Sequence, residues 1–477
     1  MTQSLSVAMV IFLIYIVIIE YKRTRELVNP LFIFATLSIV DLYLPSLIYL
    51  NFGISGLPPW VYISRNNIKM AVFVFSISVF MFILGYFLVS LLDRRKDAIV
   101  SEPWIPSVNI KIVKLVFVIS AVWYILYIWH SAEQIGGISQ YFDAKLHLRW
   151  VASPQINQSK VWGFVNLLST SMLNIMFIST GMLFYMRKKL KNRYTYTYFI
   201  PIITWIFSLT TFYRGTQIEY FLGLLVIEVF RVKDLTISIA SNTTIIVSNQ
   251  NKKSKRRIYV LLSLGVLVFL TYGAIRAYYS SEQWGTQITF EGAVSTQLKG
   301  NLSGSSLIGL ASILRNYSGD IPLLYGKTIF SMLLLPIPRS IWHSKPSWYG
   351  IDEITRGMGW PDSTQSAVSM PGELFANFGT TGLIGMVVYG LLFGIIFRSR
   401  KSVRMRFIYP FGLLPIVFVT YWMSFTGFMN SIIQLPLAYI MIILTVKKQY
   451  LKERVIQIVS EDTSEKEQDN LRFKRSY

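Results

Sequence analysis

The chain contains no cysteine, which excludes disulfides and thiolate metal sites and leaves redox compartment unaddressed. Charge is scarce too: Asp, Glu, Lys and Arg make up 15% of residues, against about 25% in soluble domains. Histidine occurs only three times. The sequence has no His-Glu-x-x-His, no Gly-x-Ser-x-Gly, no phosphate-binding P-loop and no repeat of fixed period. Zinc-helix hydrolases, serine hydrolases of the nucleophile-elbow type, P-loop nucleotidases and solenoids are thereby set aside. No metal site and no cofactor are expected.

What is abundant is apolar sequence, 53% of all residues. A bilayer-spanning helix needs about 20 mostly apolar residues. Eleven segments qualify: 3–21, 30–50, 69–92, 110–130, 161–186, 197–213, 216–231, 257–277, 371–397, 407–426 and 430–447. The sequence therefore predicts an all-α polytopic integral membrane protein with about 11 (11–13) transmembrane helices. The upper figure applies if 302–314 and 328–338 both cross the bilayer.

Charge sets the orientation. No positive residue precedes the first apolar run, Lys22, Arg23 and Arg25 follow it, and no small-residue cleavage site appears. A first helix with its N-terminus outside fits better than a signal peptide. Strict alternation then places 22–25, 94–114, 187–193, 231–257, 398–406 and 447–477 on one side, with 33 of the 46 Lys and Arg. Cytoplasmic loops collect such residues, so the C-terminus is expected in the cytoplasm. The net charge of +22 has the same origin and gives no reason to expect nucleic acid. The chain divides into helices 1–8 (1–277, with an outer loop 131–160), a large extracytoplasmic loop 278–370 with short re-entrant or amphipathic helices, helices 9–11 (371–447), and a charged tail 448–477 expected to be a fraying surface helix.

Arginine on the outer face runs against that bias and needs a reason. Arg149, Arg214, Arg276, Arg315, Arg339 and Arg356 are all placed there. A guanidinium is always charged, and its planar fork matches phosphate oxygens. Several around one cleft would bind a pyrophosphate and stabilise it as a leaving group. Each taken singly also fits a snorkelling side chain or a pair with Glu219, Glu291 or Asp320. Arg214 precedes Gly215 at a tight turn between apolar segments, with Glu219 one turn on to orient it.

The stretch Pro336-Ile337-Pro338-Arg339-Ser340-Ile341-Trp342-His343-Ser344-Lys345-Pro346-Ser347-Trp348 is polar, basic, aromatic and pinned by three prolines. His343 fits a general base near neutral pH or a plain loop histidine. Trp342 and Trp348 offer faces for sugar stacking, or form an interfacial belt. Glu373 lies in Pro371-Gly372-Glu373-Leu374-Phe375-Ala376-Asn377-Phe378-Gly379, where it fits a base, an arginine holder or a favourable charge at a helix N-terminus. Asp41, within a predicted span, fits a functional acid or a structural hydrogen-bond partner. No Asp-x-Asp occurs on the outer face, so arginines rather than a metal would stabilise charge.

Three pieces in order resemble the Wzy-type polymerases, the oligosaccharide repeat-unit polymerases of O-antigen and capsule: the Arg214-Gly215 turn, the Pro338-Arg339…Lys345-Pro346 loop, and Gly372-Glu373-Leu374…Asn377-Phe378-Gly379…Gly382. The many-helix layout extends the resemblance over nearly the whole chain. It implies an enzyme of the bacterial cytoplasmic (inner) membrane with its site on the extracytoplasmic face. The growing glycan would pass from undecaprenyl pyrophosphate to a new lipid-linked unit. Arg214, Arg276, Arg315 and Arg339 would hold pyrophosphate with Lys345 assisting, and His343 or Glu373 would take the acceptor proton. Trp342, Trp348 and Asn377 would contact substrate. Membrane lipid, a chain-length regulator and a flippase are the implied companions. A ligase of similar architecture and a lipid-linked oligosaccharide flippase remain as alternatives.

Overall fold

The computed structural model describes residues 2–52, 63–93, 104–147, 160–240, 305–334, 351–358 and 368–450, less a few positions inside these stretches, with scattered residues of 257–292. The described residues are almost entirely helical. α1 spans Thr2–Thr24. Asn29 then caps α2 (Pro30–Ser38) by accepting the Phe32 N–H, and Pro30 starts the helix, where its missing N–H costs nothing. A π-helical turn, Ile39–Tyr43, leads into α3 (Leu44–Phe52). α4 runs Arg65–Asp93, α5 Ile110–Glu133, α6 Ile138–His147 and α7 Lys160–Met186. α8 (Ile200–Leu209) and α9 (Arg214–Ala240) follow. Next come α10 (Ser305–Tyr317), α11 (Lys327–Leu333), α12 (Ile351–Gly357) and α13 (Met370–Phe378). α14 (Gly385–Ser399), α15 (Met405–Ile408), α16 (Leu414–Ile433) and α17 (Leu435–Thr445) complete the helices.

Seven stretches among the described residues are long and apolar enough to cross a membrane: Thr2–Thr24, Pro30–Phe52, Arg65–Val89, Ile110–Glu133, Leu168–Met186, Met370–Ser399 and Met405–Thr445. The protein is a multi-pass membrane protein. Large apolar side chains such as Ile11, Phe73, Leu84, Leu115, Val122 and Ile395 point outward, as a lipid-facing surface requires. Of the other expected spans, 197–213 is a shorter helical stretch, Thr195–Leu209. Segment 216–231 lies in α9 with Glu219, Glu228 and Arg231 along it, and 257–277 is described only in part.

Two expected segments depart from straight spans. In the stretch expected to cross at 371–397, the chain folds back at Gly379 (φ 65°). A Cβ on Gly382 would lie 2.2 Å from the Leu374 carbonyl oxygen, eight residues back. An unbroken helix would hold residues so spaced about 12 Å apart. α13 is thus a short helix that the following chain folds back against, and a 3₁₀ segment, Gly379–Ile384, leads into α14. The second reversal lies at Ser424 (φ 51°), where Gly427 returns against Val419. Two helices were expected here with a turn between 426 and 430. The structure has the hairpin, but its tip is Ser424.

Small residues set the closest helix contact. A Cβ at Gly85 of α4 would stand 2.0 Å from the Val387 oxygen of α14, and one at Gly390 would stand 2.1 Å from the Phe82 oxygen. Gly390 and Gly394 repeat the four-residue spacing that lets membrane helices approach backbone to backbone.

The six loops grouped by charge pair with one another. Arg400 of 398–406 binds Glu26, beside 22–25. Arg187 of 187–193 and Arg231 and Arg257 of 231–257 share the buried Glu228. β1 (Trp104–Val108) and β2 (Val446–Tyr450) join 94–114 to 447–477 as an antiparallel ribbon, pairing Pro106 with Lys448. This ribbon departs from the all-α expectation, and it ends the last helix at Thr445. Replacing Gly390 by Ala should cost about 1–3 kcal/mol through overpacking. A lowered melting temperature in detergent, with no comparable loss for an outward Ile395→Ala, would verify it.

Candidate functional site

A break inside apolar surroundings leaves backbone groups that neither water nor the helix can satisfy. The hairpin tip at Ser424 meets that demand with α13. Glu373 Oε2 accepts the Phe425 N–H at 2.8 Å, and the Ser424 hydroxyl lies 3.3 Å from the Tyr389 hydroxyl. The Ser369 N–H donates to the Trp422 carbonyl at 3.1 Å. Glu373 Oε1 accepts the Thr328 hydroxyl at 2.7 Å. That hydroxyl in turn accepts Asn377 Nδ2 at 2.7 Å, while Nδ2 also donates to the Glu373 carbonyl.

Local conformation brings these groups together. A turn at Tyr325 (φ 47°) and Gly326 (φ 84°) starts α11 and aims Thr328 at α13. The Leu324 and Tyr325 N–H groups donate to the carbonyls of Ala376 and Asn377. Positive φ is uncommon outside glycine and costs about 1–3 kcal/mol per residue. Among the described residues the non-glycine cases are Tyr325, Ser369 and Ser424, and all three border Glu373 or Asn377. Strain of this kind concentrates at functional sites.

Asp41 lies next to the tip. Its Oδ2 accepts Trp422 Nε1 at 2.8 Å and the Ser306 N–H at 3.2 Å. It therefore ties the π-turn of the second stretch to the start of α10, a hydrogen-bonded structural acid. α10 itself belongs to the segment expected as an outer loop, yet its Leu307, Leu310, Ala311 and Ile313 are buried in the main core.

The structure brings Glu373 and Asn377 together and encloses both completely. Enclosed, they brace the hairpin tip. Arg315 sits in the last turn of α10 with its side chain exposed. Arg214 is the first residue of α9. Arg276, Arg339, Trp342, His343, Lys345 and Trp348 lie outside the described residues.

On the other face of the same hairpin lies a cavity of about 260 Å³. Val419 and Met423 line it from one arm, and Asn430, Ser431 and Gln434 from the other. Tyr124 and Tyr127 of α5, Tyr141 of α6, Thr170 and Asn174 of α7, Thr210 and Thr211 after α8, and Thr216 and Glu219 of α9 complete its polar wall. Asn174 Nδ2 donates to Gln434 Oε1 at 2.6 Å, and the Thr210 hydroxyl to the Tyr124 hydroxyl at 3.2 Å. Glu219 carries no ion pair or hydrogen bond among the described residues. Among the described residues the lining holds no Lys, Arg or His. A polar cavity among apolar helices is costly and functional by default. Its signal in the sequence is faint: Asn174, Glu219, Asn430 and Gln434 are isolated polar residues in three of the expected apolar segments, and nothing in the sequence joins them.

Glu373→Ala would strand the Phe425 N–H and the Thr328 hydroxyl, at about 1–3 kcal/mol for each buried group left unpaired. Thermal unfolding in detergent should show Glu373→Ala well below wild type and Glu373→Gln between them. Equal losses for both would place the charge, not the acceptor oxygens, in control. Comparison with family models, curated proteins and solved structures gives no match, so function has to be read from these residues.

Proposed function

We propose that the protein is a membrane glycosyltransferase that polymerises lipid-linked oligosaccharide repeat units. The observation that carries the proposal is the cavity: a chamber walled by hydroxyls and amides, set among apolar helices and closed on one side by the helix that Arg214 begins. Chemistry on a lipid-anchored glycan needs such a chamber, with cationic groups nearby for the phosphates.

In this scheme an acceptor hydroxyl attacks the anomeric carbon of the donor glycan. The bond to the pyrophosphate oxygen breaks, and undecaprenyl pyrophosphate leaves with the electron pair. Arg214, Arg276, Arg315 and Arg339 would balance the charge developing on the leaving group, with Lys345 assisting. His343 would take the acceptor proton, and Trp342 and Trp348 would hold sugar rings. Glu373 and Asn377 act at one remove, by fixing the hairpin tip that carries Met423 into the cavity wall. The pairing of all six basic loops supports the orientation with the N-terminus outside and the C-terminus in the cytoplasm. That orientation puts the cavity toward the extracytoplasmic end of α5, away from the ribbon. Eleven or more spans remain part of the proposal.

One observation favours a second reading, a flippase for the same lipid-linked glycan. Reversals at Gly379 and Ser424 interrupt two apolar stretches, and transporters build their sites on interrupted helices. The alternatives separate in one assay. Purified protein in lipid vesicles, given undecaprenyl-pyrophosphate repeat units without added metal, should produce a ladder of lengths on a gel, and Arg339→Ala should abolish it. Movement of the repeat unit across the bilayer with no ladder would replace the polymerase by the flippase.

A further inference from the structure

We infer that the cavity beneath the Ser424 hairpin is a binding site for one uncharged sugar ring, with Glu219 accepting hydrogen bonds from its hydroxyls. This rests on the proposal of a lipid-linked glycan substrate and adds where, and by which chemistry, the glycan is recognised.

The lining selects the ligand class. A phosphate would meet no Lys, Arg or His among the described lining residues, and would meet the Glu219 carboxylate instead. A lipid chain would leave Thr216, Asn430 and Glu219 facing hydrocarbon, each at the cost of an unpaired polar group. A pyranose answers the whole wall. Its hydroxyls donate to a carboxylate that has no partner within the described protein, and they exchange hydrogen bonds with threonine hydroxyls and side-chain amides. Its C–H edges lie against tyrosine rings. The size agrees: about 260 Å³ is slightly below the roughly 300–1,000 Å³ of pockets that enclose drug-sized ligands, so a single ring fits and a repeat unit does not. The rest of the glycan and its pyrophosphate must then lie outside, on the side where α9 starts with Arg214.

The lack of native cysteine makes the test direct. Thr211→Cys places a lone thiol on the cavity wall, and its alkylation by a small maleimide reports access. The probes are lipid-linked oligosaccharide extracted from the cells that make the protein, and undecaprenyl pyrophosphate alone. The oligosaccharide at about ten times its Kd should slow alkylation roughly tenfold. Undecaprenyl pyrophosphate alone should not. Adding Glu219→Gln, a near-isosteric change whose folding is checked by melting temperature, should raise the oligosaccharide concentration needed for protection. Equal protection by undecaprenyl pyrophosphate would overturn the inference. So would the absence of protection in a preparation that makes polymer. Protection without polymer would keep the sugar site and remove the polymerase.

Discussion

The structure depends on how a chain can reverse where no water is present to satisfy its backbone. At Ser424 the hairpin exposes a free N–H and a free carbonyl inside the protein. Glu373 of α13 takes the first, and Ser369, the residue before α13, the second. α13 is itself held by Thr328 and by two backbone bonds from Leu324 and Tyr325. α13 and the hairpin therefore support each other. Three residues in unfavourable backbone conformations persist there because the surrounding hydrogen bonds over-determine them.

One helical hairpin thus has two faces with opposite demands. Toward α13 the backbone groups of the tip are taken up by structure, while Asn377 Oδ1 and the Ser369 hydroxyl have no partner among the described residues. Toward α5, α7 and α9 the polar groups are left to line a cavity. The bonds that hold the tip on the first face also fix the geometry of the second. At the other end, ion pairs do a different task. Burying Glu228 is costly, and three arginines gather on it in compensation: Arg231 from its own helix, and Arg187 and Arg257 from outside it.

Much of the membrane architecture was legible because a bilayer imposes length and charge rules on the sequence itself. Runs such as Thr2–Thr24 and Arg65–Val89 can be read directly as apolar helices. The reversals were harder. Gly379 and Ser424 lie in segments that stay apolar on both sides, and hydropathy carries no information about direction. Gly379 had a glycine to mark it; Ser424 had nothing, and its turn was placed a few residues late. Glu373 was visible as an acid at a helix start, but its partners lie 45 and 52 residues away, beyond any local pattern. The cavity is illegible for the same reason: its polar residues come from five helices and from the turn after α8, one or a few at a time.

The pairing of Glu26 with Arg400 has a consequence for how the protein is made. The two residues are separated by 374 positions. At about 5–20 residues per second, roughly 20–75 s pass between synthesis of one and of the other. The ribbon imposes a similar wait, because β2 follows the last helix. During that interval the first helices are in the membrane without the α14 surface that α4 needs, so Gly85 and its neighbours must be shielded by lipid or by the insertion machinery. Closure of the basic end is a late event in biogenesis, and a nascent chain halted before residue 400 would leave Glu26 waiting and the bundle open.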